Sequence, residues 1–207
     1  MTPFRFDDLR QHSDLLRVRS GAQVSVRFVE PSDAGGLQDY FRSLTVRSRY
    51  NRFLGATNAL PPSLLQDFIR VGEADRFSVV VTMAVNGHET IVGEARYALD
   101  FDGDLASIEF GMSIDDRWQR HGIGTALLKN LECRAASLGA ELVFGDTLRT
   151  NDAMITPARR SGYAFSATPG DWKLVRFRKH IQVEPQDIPC ASGRLAASRG
   201  VQPPLAA

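Results

Sequence analysis

The segment Ile108-Glu109-Phe110-Gly111-Met112-Ser113-Ile114 alternates apolar residues with small or polar ones. After a short polar turn, Gln119-Arg120-His121-Gly122-Ile123-Gly124-Thr125-Ala126 opens a run with Ala126, Leu127, Leu131, Ala135 and Leu138 on one side. The first pattern has period two and predicts a strand over residues 107–114; the second has helical spacing and predicts a helix over residues 123–138. Two glycines therefore open a helix that follows a strand. The first turn of a helix leaves backbone N–H groups without partners and carries the positive end of the dipole, which suits an anion and phosphate above all. Gly122 and Gly124 lack a Cβ, so a ligand can come close to the backbone. The plainer reading of such glycines is a loop that needs a flexible backbone. Gln119 and Arg120 ahead of them, and a second segment at Asn151, favour the ligand.

Two familiar phosphate loops fail here. A P-loop needs G-x-x-x-x-G-K-[ST], and no lysine follows either glycine. A dinucleotide turn needs a third glycine where Leu127 stands, and it follows its strand directly, whereas residues 115–121 intervene here.

What remains is Q-x-x-G-x-G after an extended strand, which resembles the acetyl-CoA pyrophosphate loop of the GNAT superfamily of N-acyltransferases. The likeness extends to Thr150-Asn151-Asp152-Ala153-Met154 with Ala158-Arg159-Arg160-Ser161-Gly162-Tyr163, similar to that family's "N-x-x-A…G-[FY]" helix and strand. Upstream, Phe41-Arg42-Ser43-Leu44 and Ser48-Arg49-Tyr50-Asn51-Arg52-Phe53 resemble the "S-L-S…S-R-Y-x-R-F" segment in the GNAT domain of bacterial Pat-type protein lysine acetyltransferases. The resemblance covers about residues 24–181. It implies an α/β (α+β) fold, a mixed, mostly antiparallel, twisted sheet of about 6–7 strands with helices on both faces. It also implies acetyl-CoA as co-substrate.

The order of elements leads to the same architecture. A helix-bearing N-terminal part with a strand at residues 24–29 precedes a three-strand meander, in which Asn86-Gly87-His88 marks a tight turn. A β-α-β-α-β-β run follows, so one sheet is covered on both faces. Residues 1–23 read as an N-terminal arm, 24–182 as the domain, and 183–207, rich in Pro, Ala, Ser and Gly, as a disordered tail.

Bulk properties close off other classes. With 25 basic against 24 acidic residues, no field of one sign argues for nucleic acid or an anionic membrane. The longest apolar run, near residues 79–85, is too short to span a bilayer, and no signal peptide is evident. Four scattered histidines lack metal-ligand spacing. Cys133 and Cys190 do not make a disulfide framework, which fits a reducing, cytoplasmic setting.

On the strand, Ile108, Phe110, Met112 and Ile114 point to one face, Glu109, Gly111 and Ser113 to the other. If the pyrophosphate sits on Gln119, Arg120, His121, Gly122, Ile123, Gly124 and Thr125, a pantetheine arm can run back along the strand. The resemblance implies that it pairs with backbone of Met112, Ser113 and Ile114 where the sheet splays, usually at a bulge. An arm of roughly 15 Å, at about 3.4 Å per residue, brings the thioester near Glu109 and Gly111. An amine with a pKa of about 10.4 needs a base. Glu109 is the carboxylate at that level, with Glu94 its rival, and backbone N–H groups near Phe110 to Met112 would receive the oxyanion. Asn151 matches the family's cofactor-side asparagine and could equally cap its helix. The position at which many relatives carry a protonating tyrosine is Ala158.

Arg42, Arg47, Arg49 and Arg52 read either as stems covering a helix pair or as acceptor-side and phosphate contacts. Three functions stay open. They are a protein lysine acetyltransferase with a partner such as an acyl-CoA synthetase, a small-amine acetyltransferase, and a silent acyl-CoA-binding module. The assembly expected is a monomer or homodimer.

Overall fold

The computed structural model describes residues 13–71, 73–100 and 105–181. The strands are β1 (Asp14–Arg17), β2 (Gln23–Phe28), β3 (Arg76–Val85), β4 (His88–Asp100), β5 (Ser107–Ile114), β6 (Leu142–Leu148), β7 (Ala164–Ala167) and β8 (Leu174–His180). The α-helices are α1 (Ala34–Ser43), α2 (Val46–Phe53), α3 (Pro62–Ile69), α4 (Ile123–Ser137) and α5 (Asp152–Arg160). The strands form one sheet in the order β1-β2-β3-β4-β5-β6-β8-β7, antiparallel throughout except for β5 beside β6.

The mixed sheet covered on both faces is the architecture expected. Its β3 reads Val79-Val80-Val81 because both faces are buried. Val79 and Val81 join Leu127, Leu128 and Leu131 of α4, while Val80 joins Leu37 and Phe41 of α1 and Phe68 of α3. The β3–β4 hairpin turns on Asn86 (φ 52°) and Gly87 (φ 81°), the two positive angles a type I′ turn requires.

Eight strands are present among the described residues, against the 6–7 expected. The addition is β1, inside the segment read as an arm. Asp14 is 2% exposed and receives Arg134 Nη2 at 2.7 Å and Asn130 Nδ2 at 2.9 Å, both from α4. The sheet therefore reaches N-terminally past residue 24. Residues 183–207 lie outside those described.

The cysteine reading also changes. Cys133 is buried in α4 and disulfide-bonded. The chain's other cysteine, Cys190, lies outside the described residues.

Candidate active site

β5 and β6 pair only at Ser107↔Leu142, Ile108↔Val143 and Glu109↔Phe144. Beyond that point β5 runs on to Ile114 beside β4, and β6 runs on to Leu148 beside β8, so the sheet opens between them. Gly145 sits at the apex. A Cβ there would lie 2.6 Å from the Phe110 carbonyl oxygen, so glycine lets the two backbones meet before they part. A cavity of about 440 Å³ fills the opening. The bulge expected near the splay is present one strand away, at Val92 of β4, where the register to β3 shifts.

Backbone groups alternate along a strand. The Phe110 carbonyl faces β6, while the Ser113 carbonyl lies 3.2 Å from a Cβ built on Gly93 of β4. Phe110, Met112 and Ile114 therefore turn their N–H and C=O toward the opening, and Ser113 turns its own toward β4. Of the three residues expected to pair with a pantetheine arm, Met112 is open at both groups. The Ile114 carbonyl accepts from Gln119 Nε2 at 3.0 Å, leaving its N–H. The Ser113 backbone is not available, a correction that follows from strand parity.

The loop residues divide in the same way. Gln119 and Arg120 line the cavity together with Gly124 and Thr125, and Arg120 is a non-glycine residue at φ 66°. Gln119 works inward, anchoring the loop to β5 through its amide. His121 faces solvent and donates from Nδ1 to the Gln119 carbonyl at 2.8 Å, so its side chain does not line the cavity. The Ile123 side chain is 2% exposed within the core, which leaves only its backbone for a ligand. Gly122, at φ 93°, is packed by its neighbours: a Cβ there would meet Cβ and N of Arg19 at 3.0 Å. Gly124 has nothing nearer than Met112 Cε at 3.7 Å. Close ligand approach thus falls to Gly124, and close approach of the β1–β2 hairpin to Gly122.

Arg19, which abuts Gly122 at the α4 N-terminus, and Arg160 also line the cavity, adding positive charge to that of Arg120. Neither was read from sequence. The Ser20-Gly21 turn that places Arg19, with Gly21 at φ 87°, was the available signal.

At the apex, Glu109 is exposed on the face shared with Gly111 and Ser113, and its charge helps raise the Arg176 pKa, behind the hydrogen bond that Arg176 donates to Asp146. It stands at the last paired register and does not line the cavity, whose first residue on β5 is Met112. The rival Glu94 is fully buried. Both its oxygens are taken, by Arg52 Nε at 2.7 Å and Nη2 at 3.0 Å, with Ser113 Oγ donating to the first. Ser113 Oγ also meets Tyr40 Oη at 3.0 Å. A carboxylate buried and bonded in this way holds α2 against the sheet.

Asn151 is 8% exposed and lines the cavity. Its Oδ1 accepts from Asn51 Nδ2 at 3.2 Å and its Nδ2 donates to Thr147 Oγ1 at 2.9 Å, and its side chain does not cap α5. Thr45 and Ser48 bind Asp116, with Ser48 Oγ at 2.7 Å, which pins α2 to the phosphate loop. Arg49 donates to the carbonyls of Thr57, Arg42 and Leu44, so it closes the α1–α2 corner. Arg47 stays exposed, reaching the Thr150 carbonyl at 3.4 Å. Ala158 is fully buried, and Tyr163 is a core residue against Phe110 and Phe177. Burial, with Glu132 beside it, drives the Tyr163 pKa far up. No tyrosine lines the cavity among the described residues, and no group of three or more His, Cys, Asp or Glu gathers there that could hold a metal.

The Acetyltransferase (GNAT) family matches residues 43–163, more than half of the chain. This chain belongs to the GNAT family. GNAT proteins use acetyl-CoA as co-substrate. The fold is similar to that of the GNAT domain of S. lividans PAT, at 20% identity and a TM-score of 0.73, over 82% of this chain and 97% of that one. It is also similar to the ribosomal-protein-S5-alanine acetyltransferase of Vibrio fischeri, at 16% identity and a TM-score of 0.60, over 76% and 92%. A cAMP-binding acyltransferase from Mycobacterium smegmatis matches at 23% identity and a TM-score of 0.55, and this GNAT chain spans 60% of its length. No helix among the described residues is long and apolar enough to cross a membrane.

Proposed function

We propose that this protein is an acetyl-CoA-dependent N-acetyltransferase acting on lysine side chains of a protein acceptor. The observation that carries the reading is the gap between β5 and β6, which starts at Glu109 and ends at the first turn of α4. From Phe110 to Ile114 the strand rises about 14 Å, close to the length of a pantetheine arm. The free N–H groups of α4, with Arg19, Arg120 and Arg160, suit the phosphates. The Met112 carbonyl suits an amide N–H of the arm.

In this reading the thioester lies between Phe110 and Met112. The lysine amine gives its proton to Glu109, directly or through water, and its lone pair attacks the carbonyl carbon. The Met112 N–H receives the oxyanion. The thiolate, with a pKa near 8.5 for a thiol, leaves and takes a proton from solvent. The protein acceptor is supported by the S-R-Y-x-R-F resemblance, and an acyl-CoA synthetase is the first partner to try.

The test is incubation with acetyl-CoA and an acyl-CoA synthetase, reading free thiol and the mass of the acceptor. Glu109→Gln should lower kcat by about 10²-fold or more at unchanged acetyl-CoA affinity. If turnover of free polyamines or aminoglycosides is efficient and no protein gains an acetyl group, the acceptor is a small amine. If no acceptor releases thiol while acetyl-CoA binds, the silent module is the answer.

A further inference from the structure

The floor of the cleft holds a charge that the reaction as described does not use. Arg52 lines the cavity with its side chain 13% exposed. Its Nε and Nη2 are fixed on the two oxygens of Glu94. Its Nη1 has no protein acceptor among the described residues. That nitrogen lies over Gly111 of β5, 2.8 Å from where a Cβ would stand. The rings of Phe53 and Phe68, 5.6 and 6.0 Å from the guanidinium carbon, wall it on the helix side. A guanidinium held by two of its donors has its plane fixed. The remaining nitrogen, Nη1, is therefore held over the strand face at Gly111.

We propose that Arg52 is a catalytic residue, its Nη1 donating to the thioester oxygen as that oxygen takes up negative charge, beside the N–H of Met112. The inference rests on the acetyltransferase reading above. The amine nitrogen forms a bond to the carbonyl carbon, and the C=O π pair moves onto oxygen, where the two donors meet it. Glu109 takes the amine proton. Collapse restores the carbonyl, breaks the C–S bond and releases the thiolate, which is protonated from solvent. Because the guanidinium is set in place by Glu94 before substrate arrives, it needs no reorganisation at the moment of attack, and the apolar wall keeps the local dielectric low. A buried ion pair gives little net stability by itself. Its position under the reacting bond gives this one a use. The same geometry explains Gly111, since any side chain there would push Nη1 out of the cleft.

Arg52→Ala alone would leave Glu94 buried and unpaired, so the informative variant is the neutral pair Arg52→Gln with Glu94→Gln. It is compared with Gly111→Ala, which keeps both charges and moves the guanidinium. Thermal unfolding and calorimetry with acetyl-CoA accompany steady-state kinetics over pH. The expected result is acetyl-CoA affinity within about 3-fold of wild type and kcat lower by about 10²–10³-fold in the pair. The kcat of Gly111→Ala should also fall. A purely structural Arg52 would instead lower the unfolding temperature and spare kcat in whatever protein is folded. Wild-type-like kcat in either variant overturns the proposal; if the pair does not fold, Gly111→Ala decides alone. A wild-type protein that releases no thiol with any acceptor overturns the acetyltransferase reading, and this inference with it.

Discussion

Gly122 and Gly124 are two residues apart and exist for different reasons. Gly122 has φ 93° and a wall of Arg19 at 3.0 Å. An alanine there meets both backbone strain and the hairpin, and Gly122→Ala should cost about 1–3 kcal/mol in urea unfolding. Gly124 is helical and has room, its nearest neighbours being Met112 Cε at 3.7 Å and Ile114 Cγ1 at 3.8 Å. Aspartate in the first turn of α4 even favours the helix dipole, so Gly124→Asp should unfold like wild type or slightly later. It places a carboxylate where the pyrophosphate would lie, and calorimetry should then detect no acetyl-CoA binding. Unchanged affinity in that variant would remove the phosphate site from the loop. From sequence the two glycines looked alike, because what separates them is a contact from a hairpin about a hundred residues upstream. Glu109 and Glu94 were both visible as carboxylates on strands; only the Arg52 and Ser113 contacts distinguish the committed one.

At the level of elements, what the sequence made legible was whatever local periodicity encodes. The strand Ser107–Ile114, the helix starting at Ile123 and the helix Asp152–Arg160 stand where their patterns put them. Strand β1 was missed because four residues, Asp14-Leu15-Leu16-Arg17, are too few to show a period, and because its anchor is tertiary. Arg134 is 1% exposed and holds Asp14 across the sheet face, bonds Asn130 Oδ1 at 2.8 Å and the Val26 carbonyl at 3.2 Å, and lies 4.8 Å over the Phe28 ring. An arginine in the middle of an amphipathic helix reads as solvent-facing until its partner is seen. Removing one member of a buried pair leaves the other uncompensated, at a cost of about 3–5 kcal/mol. Asp14→Ala should therefore lower the free energy of unfolding by that amount, measured by urea denaturation, although it lies in a segment that reads as an arm. A loss below about 1 kcal/mol would mean that β1 is only laid on the domain.

Across the whole molecule, three carboxylates tie elements that no local pattern connects. Asp33 before α1 binds Arg27 of β2 at 2.7 Å, Asp115 after β5 binds Arg117 at 2.7 Å and Ser43 of α1 at 3.1 Å, and Asp146 of β6 binds Arg176 of β8 at 2.7 Å. Burial alone would raise Asp33 and Asp115, but the hydrogen bonds from Arg27 and the Glu30 amide, and from Arg117 and Ser43, outweigh it and hold both below the ordinary carboxylate value. The Arg176 bond lowers Asp146 against a smaller effect of burial. A carboxyl group whose folded pKa is depressed binds its proton more readily in the unfolded chain. Its contribution to stability is complete above the unfolded pKa of about 3.9 and drains away as pH falls through the folded value. The three sit on both halves of the sheet, at the β2–α1 corner, at the β5 end leading into the phosphate loop, and across the β6–β8 seam. Their loss therefore acts on one cooperative unit and not on a single edge. Urea unfolding should give a flat free energy from about pH 7 to pH 5 and a steep decline below pH 4, and Asp146→Asn should make the decline shallower by removing one of the titrating groups. A stability that stays level down to pH 3 would mean that these pairs are as well solvated in the folded protein as in the unfolded chain.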